Sequence, residues 1–95
     1  MSKRSAYIEK MGAQLREWNG QLDVLKARYD KKKADVKIDY YDLLDKAKKR
    51  SSVAQKQLRD IGDASEDTWE GMKDGFEKSW KELKSTMEKV NSRFK

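Results

Sequence analysis

The chain has no cysteine, no proline and no histidine in 95 residues. Without cysteine there is no disulfide framework, no thiolate metal site and no redox motif. Without histidine, the commonest general base and the commonest metal ligand are both missing. Average usage would give roughly five prolines in a chain this long, and proline is the residue that helix interiors tolerate least. Long apolar runs are lacking as well. Charged residues make up 42% of the chain and interrupt every apolar stretch, so no segment is long enough to span a bilayer as a helix. The basic start Met1-Ser2-Lys3-Arg4 has no apolar stretch behind it, which argues against a secretory signal and sets a cytoplasmic expectation. The length sets one domain, residues 1–95, as the ceiling.

What is present favours helix. Lys, Glu, Gln, Ala, Leu, Met and Arg dominate, all good helix formers. The same composition would suit a disordered chain, so periodicity decides. Ile8, Met11, Leu15, Trp18, Leu22, Leu25 and Tyr29 are spaced alternately three and four apart, a heptad seam flanked by polar positions. Past Tyr29 the best stripe is Lys33, Val36, Tyr40, Leu43, Ala47, Ser51, Ala54, Leu58 and Ile61. The change of phase at 30–33 reads either as a stutter in one long helix or as a turn. No Gly, Pro or Asn supports the turn, so a single helix over 4–60 is expected.

The last third changes period. Leu58, Trp69 and Trp80 are eleven apart; so are Ile61, Met72, Leu83 and Phe94, and Ser65, Phe76 and Met87. Eleven residues make almost a whole number of helical turns, which predicts a nearly straight stripe. Gly62 stands where a helix C-cap favours glycine, with Asp63 and Glu66 at capping-box spacing. A hinge at 61–65 and a second, Trp-rich helix over 66–94 follow. Folding back at the hinge would set Trp80 near Ala47, with Trp69 near Leu58 and Ala54, large residues against small ones.

The expected fold is therefore all-α: a long coiled-coil-type helix and a shorter helix folded back on it. So small a hairpin leaves apolar surface open, which points to a homo-oligomer. The alternative is a monomeric three-helix bundle with turns at 30–33 and 61–65. The interaction seam would be Leu15, Trp18, Leu22, Leu25, Trp69, Met72, Phe76, Trp80 and Leu83.

Chemistry is sparse. Asp39 and Asp42 beside Tyr40 and Tyr41 could be drawn as an acid or metal cluster, but a solvated helix face explains them better. A helical di-metal site calls for buried carboxylates with a Glu-x-x-His pair, and there is no histidine. No phosphate loop, nucleophile elbow or zinc spacing occurs. A non-enzymatic protein with no cofactor and no small-molecule substrate is expected.

The net charge of +6 falls within residues 1–63, which hold 16 Lys and Arg against 10 Asp and Glu; residues 64–95 hold seven of each. Lys31, Lys32, Lys33, Lys48, Lys49 and Arg50 are the candidate contacts to an anion such as a nucleic-acid backbone. Interleaved aspartates dilute their field, so nucleic acid is the least favoured partner. The stripe from Trp69 to Phe94, flanked by Lys73, Lys78, Lys84 and Lys89, suits either a membrane surface or the protein's own core.

The 11-residue Trp/Leu/Phe repeat over about 58–94 resembles the amphipathic repeats of exchangeable apolipoproteins and late-embryogenesis-abundant stress proteins. The whole chain resembles small bacterial coiled-coil proteins of similar length. The segments that carry this are Tyr7 to Asn19, Ser65 to Glu77 and the ending Ser92-Arg93-Phe94-Lys95. Those coiled-coil proteins have no assigned activity, so the resemblance implies a helical architecture and carries no catalytic residues with it; a scaffold or stress-related role is the expectation set beside it. The function expected is self-association and helix–helix interaction, with a peripheral membrane role for 66–94 as the alternative.

Overall fold

A computed structural model describes residues 2–28 and 38–93. The described residues form three helices and no strand: α1 (Lys3–Arg28), α2 (Ile38–Asp63) and α3 (Trp69–Arg93). They pack up, down and up into a bundle measuring 52 × 20 × 19 Å. The protein is all-α, in the three-helix form.

Cross-helix contacts fix the order. Arg4 reaches the carbonyl oxygens of Ile61 and Ala64, Asn19 meets Ser51, Asp23 meets Lys48 and Lys26 meets Asp45. Each step toward the C-terminus of α1 is thus a step toward the N-terminus of α2. The two run antiparallel, which overturns the single helix over 4–60. Burying one stripe against another within the chain stabilises more than extending a solvated rod, because most helical stability comes from tertiary packing. The stutter-or-turn alternative at 30–33, with Lys33 and Val36 of the stripe, falls outside the described residues.

The core is a set of heptads. In α1 Leu15 and Leu22 are fully buried, with Ile8, Met11, Trp18 and Leu25 packed beside them. In α2 the buried residues are Leu44, Ala47, Ser51, Ala54, Leu58 and Ile61, spaced alternately three and four apart. Leu44 takes the place that the sequence pattern gave to Leu43, which is half-buried. In α3 Trp69, Phe76, Leu83 and Val90 are buried at seven-residue intervals.

The burial of α3 therefore follows seven along Trp69, Phe76, Leu83 and Val90, and the eleven-residue repeat is only partly realised: Phe76 and Met87 are both buried, but Met72 and Leu83 differ. Met72, the counterpart of Leu83, is 36% exposed, while Leu83 is 0% exposed. A seven-residue period keeps one stripe of a helix against its neighbours in a bundle.

Side-chain size sets the helix spacings. Ala47, Ser51 and Ala54 let the backbone of α2 lie close to both neighbours, whereas α1 and α3 meet mainly through side chains. Their gap is filled by rings. Tyr7 stacks near Trp69 (6.4 Å between centroids) and edge-on to Phe76 (5.9 Å), and Trp18 lies 4.9 Å from Trp80. Arg50 reaching Glu82 and Thr86 sets Trp80 level with Ala54, not with Ala47, and Trp69 lies beside Tyr7 at the end of the bundle.

The break after α2 also differs from expectation. Gly62 is helical, and no glycine among the described residues has positive φ. The end of α2 is capped from outside by the Arg4 guanidinium, which donates to the Ile61 and Ala64 carbonyls and pairs with Glu66 at 3.3 Å. A cation at a helix C-terminus satisfies orphan carbonyls and complements the macrodipole, so no left-handed cap is needed. The connection is 64–68, and α3 starts from Thr68, whose carbonyl accepts from the Met72 amide at 3.3 Å. Asp63 belongs to α2 and Glu66 to Arg4, so the capping box does not form.

Candidate interaction surfaces

The residues expected to form a seam between chains lie at the centre of this one. Leu15, Leu22, Trp69, Phe76 and Leu83 are buried, and Trp18, Leu25 and Trp80 pack against them half-buried. Met72 stands outside at the rim. With α3 closing the groove between α1 and α2 on one side, each stripe finds its partner within the chain. No helix among the described residues is long and apolar enough to cross a membrane.

The candidate anion contacts do not converge. Lys31, Lys32 and Lys33 lie outside the described residues. Lys48, Lys49 and Arg50 are successive positions on α2, and a helix turns about 100° per residue. Lys48 points to α1, where its Nζ is 2.6 Å from Asp23 Oδ1. Arg50 points to α3 and donates to Thr86 Oγ1 and the Glu82 carbonyl. Lys49 is exposed between them. What reads as a basic cluster in sequence is two inter-helix ties and one solvated lysine. Among the described residues no group of three or more carboxylates could hold a metal ion; Asp42 is exposed, and Tyr40 and Tyr41 are half-buried.

One titratable group stands out on the α1–α3 side. The Tyr7 hydroxyl donates to Glu77 Oε1 at 3.4 Å, and Lys73 Nζ sits 4.9 Å from the Tyr7 ring centroid and 5.6 Å from that of Trp69. Burial pushes the Tyr7 phenol up to about 12, with the Glu77 charge and hydrogen bond adding to it. A phenol held neutral and packed in an aromatic cluster serves as a core residue with a polar tip.

The other side of α1 is more open. Between α1 and α2, away from α3, runs a groove of about 610 Å³. Its floor is Ile8, Leu15 and Leu58, and Gly12 and Gly62 lower its walls. Glu9 and Asp63 stand at one end; Arg59 stands near the middle, and Arg16 with Gln55 toward the other end. Sequence reasoning missed this surface, because it exists only once α1 and α2 pair. The available signal was Glu9 and Arg16, seven apart on one helix face with Gly12 between them.

Comparison with known proteins gives no matching family model, no matching curated protein and no matching solved structure.

Proposed function

We propose that the protein is a non-enzymatic helical interaction module that associates with copies of itself as folded bundles, in a scaffold or stress-related role. The observation that carries this reading is the open, apolar-floored groove between α1 and α2, rimmed by charges of both signs. Further along the same α1–α2 seam, Asp23–Lys48 and Lys26–Asp45 are tied across the helices. The resemblance to small bacterial coiled-coil proteins supports the helical architecture that such a role uses.

Association here is of bundle with bundle, because the heptad stripes are already covered within the chain. The membrane alternative asks more of the protein. Trp69, Phe76, Leu83, Met87 and Val90 face inward, so a lipid-bound α3 would first have to leave α2. Light scattering coupled to size exclusion tests the reading. Self-association gives a mass approaching twice 11.2 kDa as concentration rises. A constant monomer mass would sink it, and flotation with vesicles plus a blue shift in Trp fluorescence would then favour the membrane.

A further inference from the structure

We propose that the groove between α1 and α2 is a self-complementary docking face, which takes α1 of a second copy, antiparallel, about a twofold axis passing between Gly12 and Ala13. This rests on the self-association reading above and names its surface and geometry.

The first argument is charge placement. Glu9 and Arg16 lie seven residues apart, about 10 Å along the helix, and the point between Gly12 and Ala13 is equidistant from both. A twofold axis there sets each Glu9 against the second copy's Arg16. Helix α2 adds the same polarity, since Asp63 stands at the Glu9 end of the groove. An incoming Arg16 would therefore meet the carboxylates of Glu9 and Asp63, with the like charge of Arg59 nearby, toward the middle of the groove. A parallel arrangement would set like charges against each other, which is strongly disfavoured.

The second argument is that these charges have no work inside the chain. Glu9, Arg16, Arg59 and Asp63 make no ion pair among the described residues, unlike Arg4–Glu66, Lys26–Asp45 and Lys48–Asp23. Glu9, Arg16, Arg59 and Asp63 are all exposed.

The third argument is Gly12. A glycine inside a helix is less favourable than alanine by about 1 kcal/mol, yet a Cβ at Gly12 would meet only Arg16 Nη1 at 3.6 Å and Leu58 Cδ2 at 3.8 Å. These are ordinary contacts, so packing within the chain does not require glycine there. Close approach of another helix does, and Gly12 is at the point where the two copies of α1 would cross. Leu15 and Leu58 are already covered within the chain, so the surface left to bury is Ile8, the backbone at Gly12 and Gly62 and the stems of Arg16 and Arg59, at the small, weak end of the interface range.

Charge reversal in the full-length chain tests this, read as solution mass against concentration at low salt. Glu9→Arg and Arg16→Glu, each alone, set like charges together at two places in the dimer and should weaken association about tenfold or more. The double variant Glu9→Arg/Arg16→Glu should recover association in part, because the exchanged charges at 9 and 16 attract again while Asp63 still repels the carboxylate at 16. Mixing the two single variants should give a heterodimer. Gly12→Leu should abolish association while thermal unfolding shows the bundle intact.

Single variants that associate like the wild type, or a double variant that associates no better than either single variant, would overturn the proposal while self-association by another face stood. A wild-type chain that stays monomeric at every concentration overturns both. Loss of association in Gly12→Leu together with loss of helix signal would shift the decision to the charge-reversal set, whose sites are exposed.

Discussion

Ser51 Oγ donates to Asn19 Oδ1 at 2.7 Å across the α1–α2 interface, and Ser51 is 1% exposed. A polar pair inside a heptad core fixes register, because any shift along the helices leaves one of the groups desolvated and unpaired. Ser51→Ala leaves the Asn19 carbonyl without that donor and should cost about 1 kcal/mol, or roughly 4–8 °C in Tm for a domain of this size. Asn19→Ala/Ser51→Ala should cost less than the sum of the two single changes, as a urea-denaturation double-mutant cycle would reveal. Additive losses would show that the two side chains act independently.

The outside cap on α2 can be separated from its ion pair. Arg4→Ala removes the donor to two terminal carbonyls and should cost about 1 kcal/mol, with faster amide exchange over 58–64 than over the rest of α2. Glu66→Gln should change stability by less than about 0.5 kcal/mol, because Glu66 is 70% exposed and such pairs contribute little. Equal effects from both changes would mean that the charge pair, not the cap, holds this end together.

Met72 and Leu83 are equivalent in the eleven-residue repeat and unequal in the bundle. Leu83→Ala should cost about 2–5 kcal/mol, the range for a truncated core leucine. Met72→Ala should cost well under half of that, since Met72 is 36% exposed. Thermal unfolding of the pair decides between the two periods. Similar losses at both positions would restore the eleven-residue reading of α3.

Tyr7 gives an alkaline signature. Its phenol is raised from 10.0 to about 12 in the folded chain, burial being the main cause. The folded state therefore holds this proton more tightly than the unfolded state does. The associated stability is fully present below pH 10 and is lost as pH rises from 10 toward 12. Denaturation midpoints should show that loss in the wild type and not in Tyr7→Phe. In Glu77→Gln, tyrosinate absorbance should show the Tyr7 titration moving down only part of the way, because burial remains.

How much was legible beforehand varies by helix. The heptad of α1 could be read directly: Leu15 and Leu22 carry it, and both are buried. In α2 the run from Ala47 to Ile61 was legible, but Leu43 and Leu44 are adjacent apolar residues, and only packing selects Leu44. In α3 two periods overlap, since Trp69 leads both to Phe76 and to Trp80. Pattern alone gives no reason to prefer seven, because which positions are covered depends on where α1 and α2 lie against α3. The candidate anion cluster failed for a related reason. Adjacent residues on a helix point in different directions, and the partners of Lys48 and Arg50 lie 25 and 36 residues away in sequence.

The order of the amino acids is enough to make this chain helical, to exclude disulfides and histidine chemistry, and to mark the residues that can supply an apolar stripe. These follow from composition and local period, which need no knowledge of neighbours. The tertiary structure decided that the stripes close on one another within a single chain, that Arg4 rather than Gly62 ends α2, and that a charged groove lies between α1 and α2. Each depends on which helix faces which, and that is settled by side-chain volume. Small residues on α2 draw both neighbours close, and the rings of Tyr7, Trp18, Trp69, Phe76 and Trp80 fill the remaining gap.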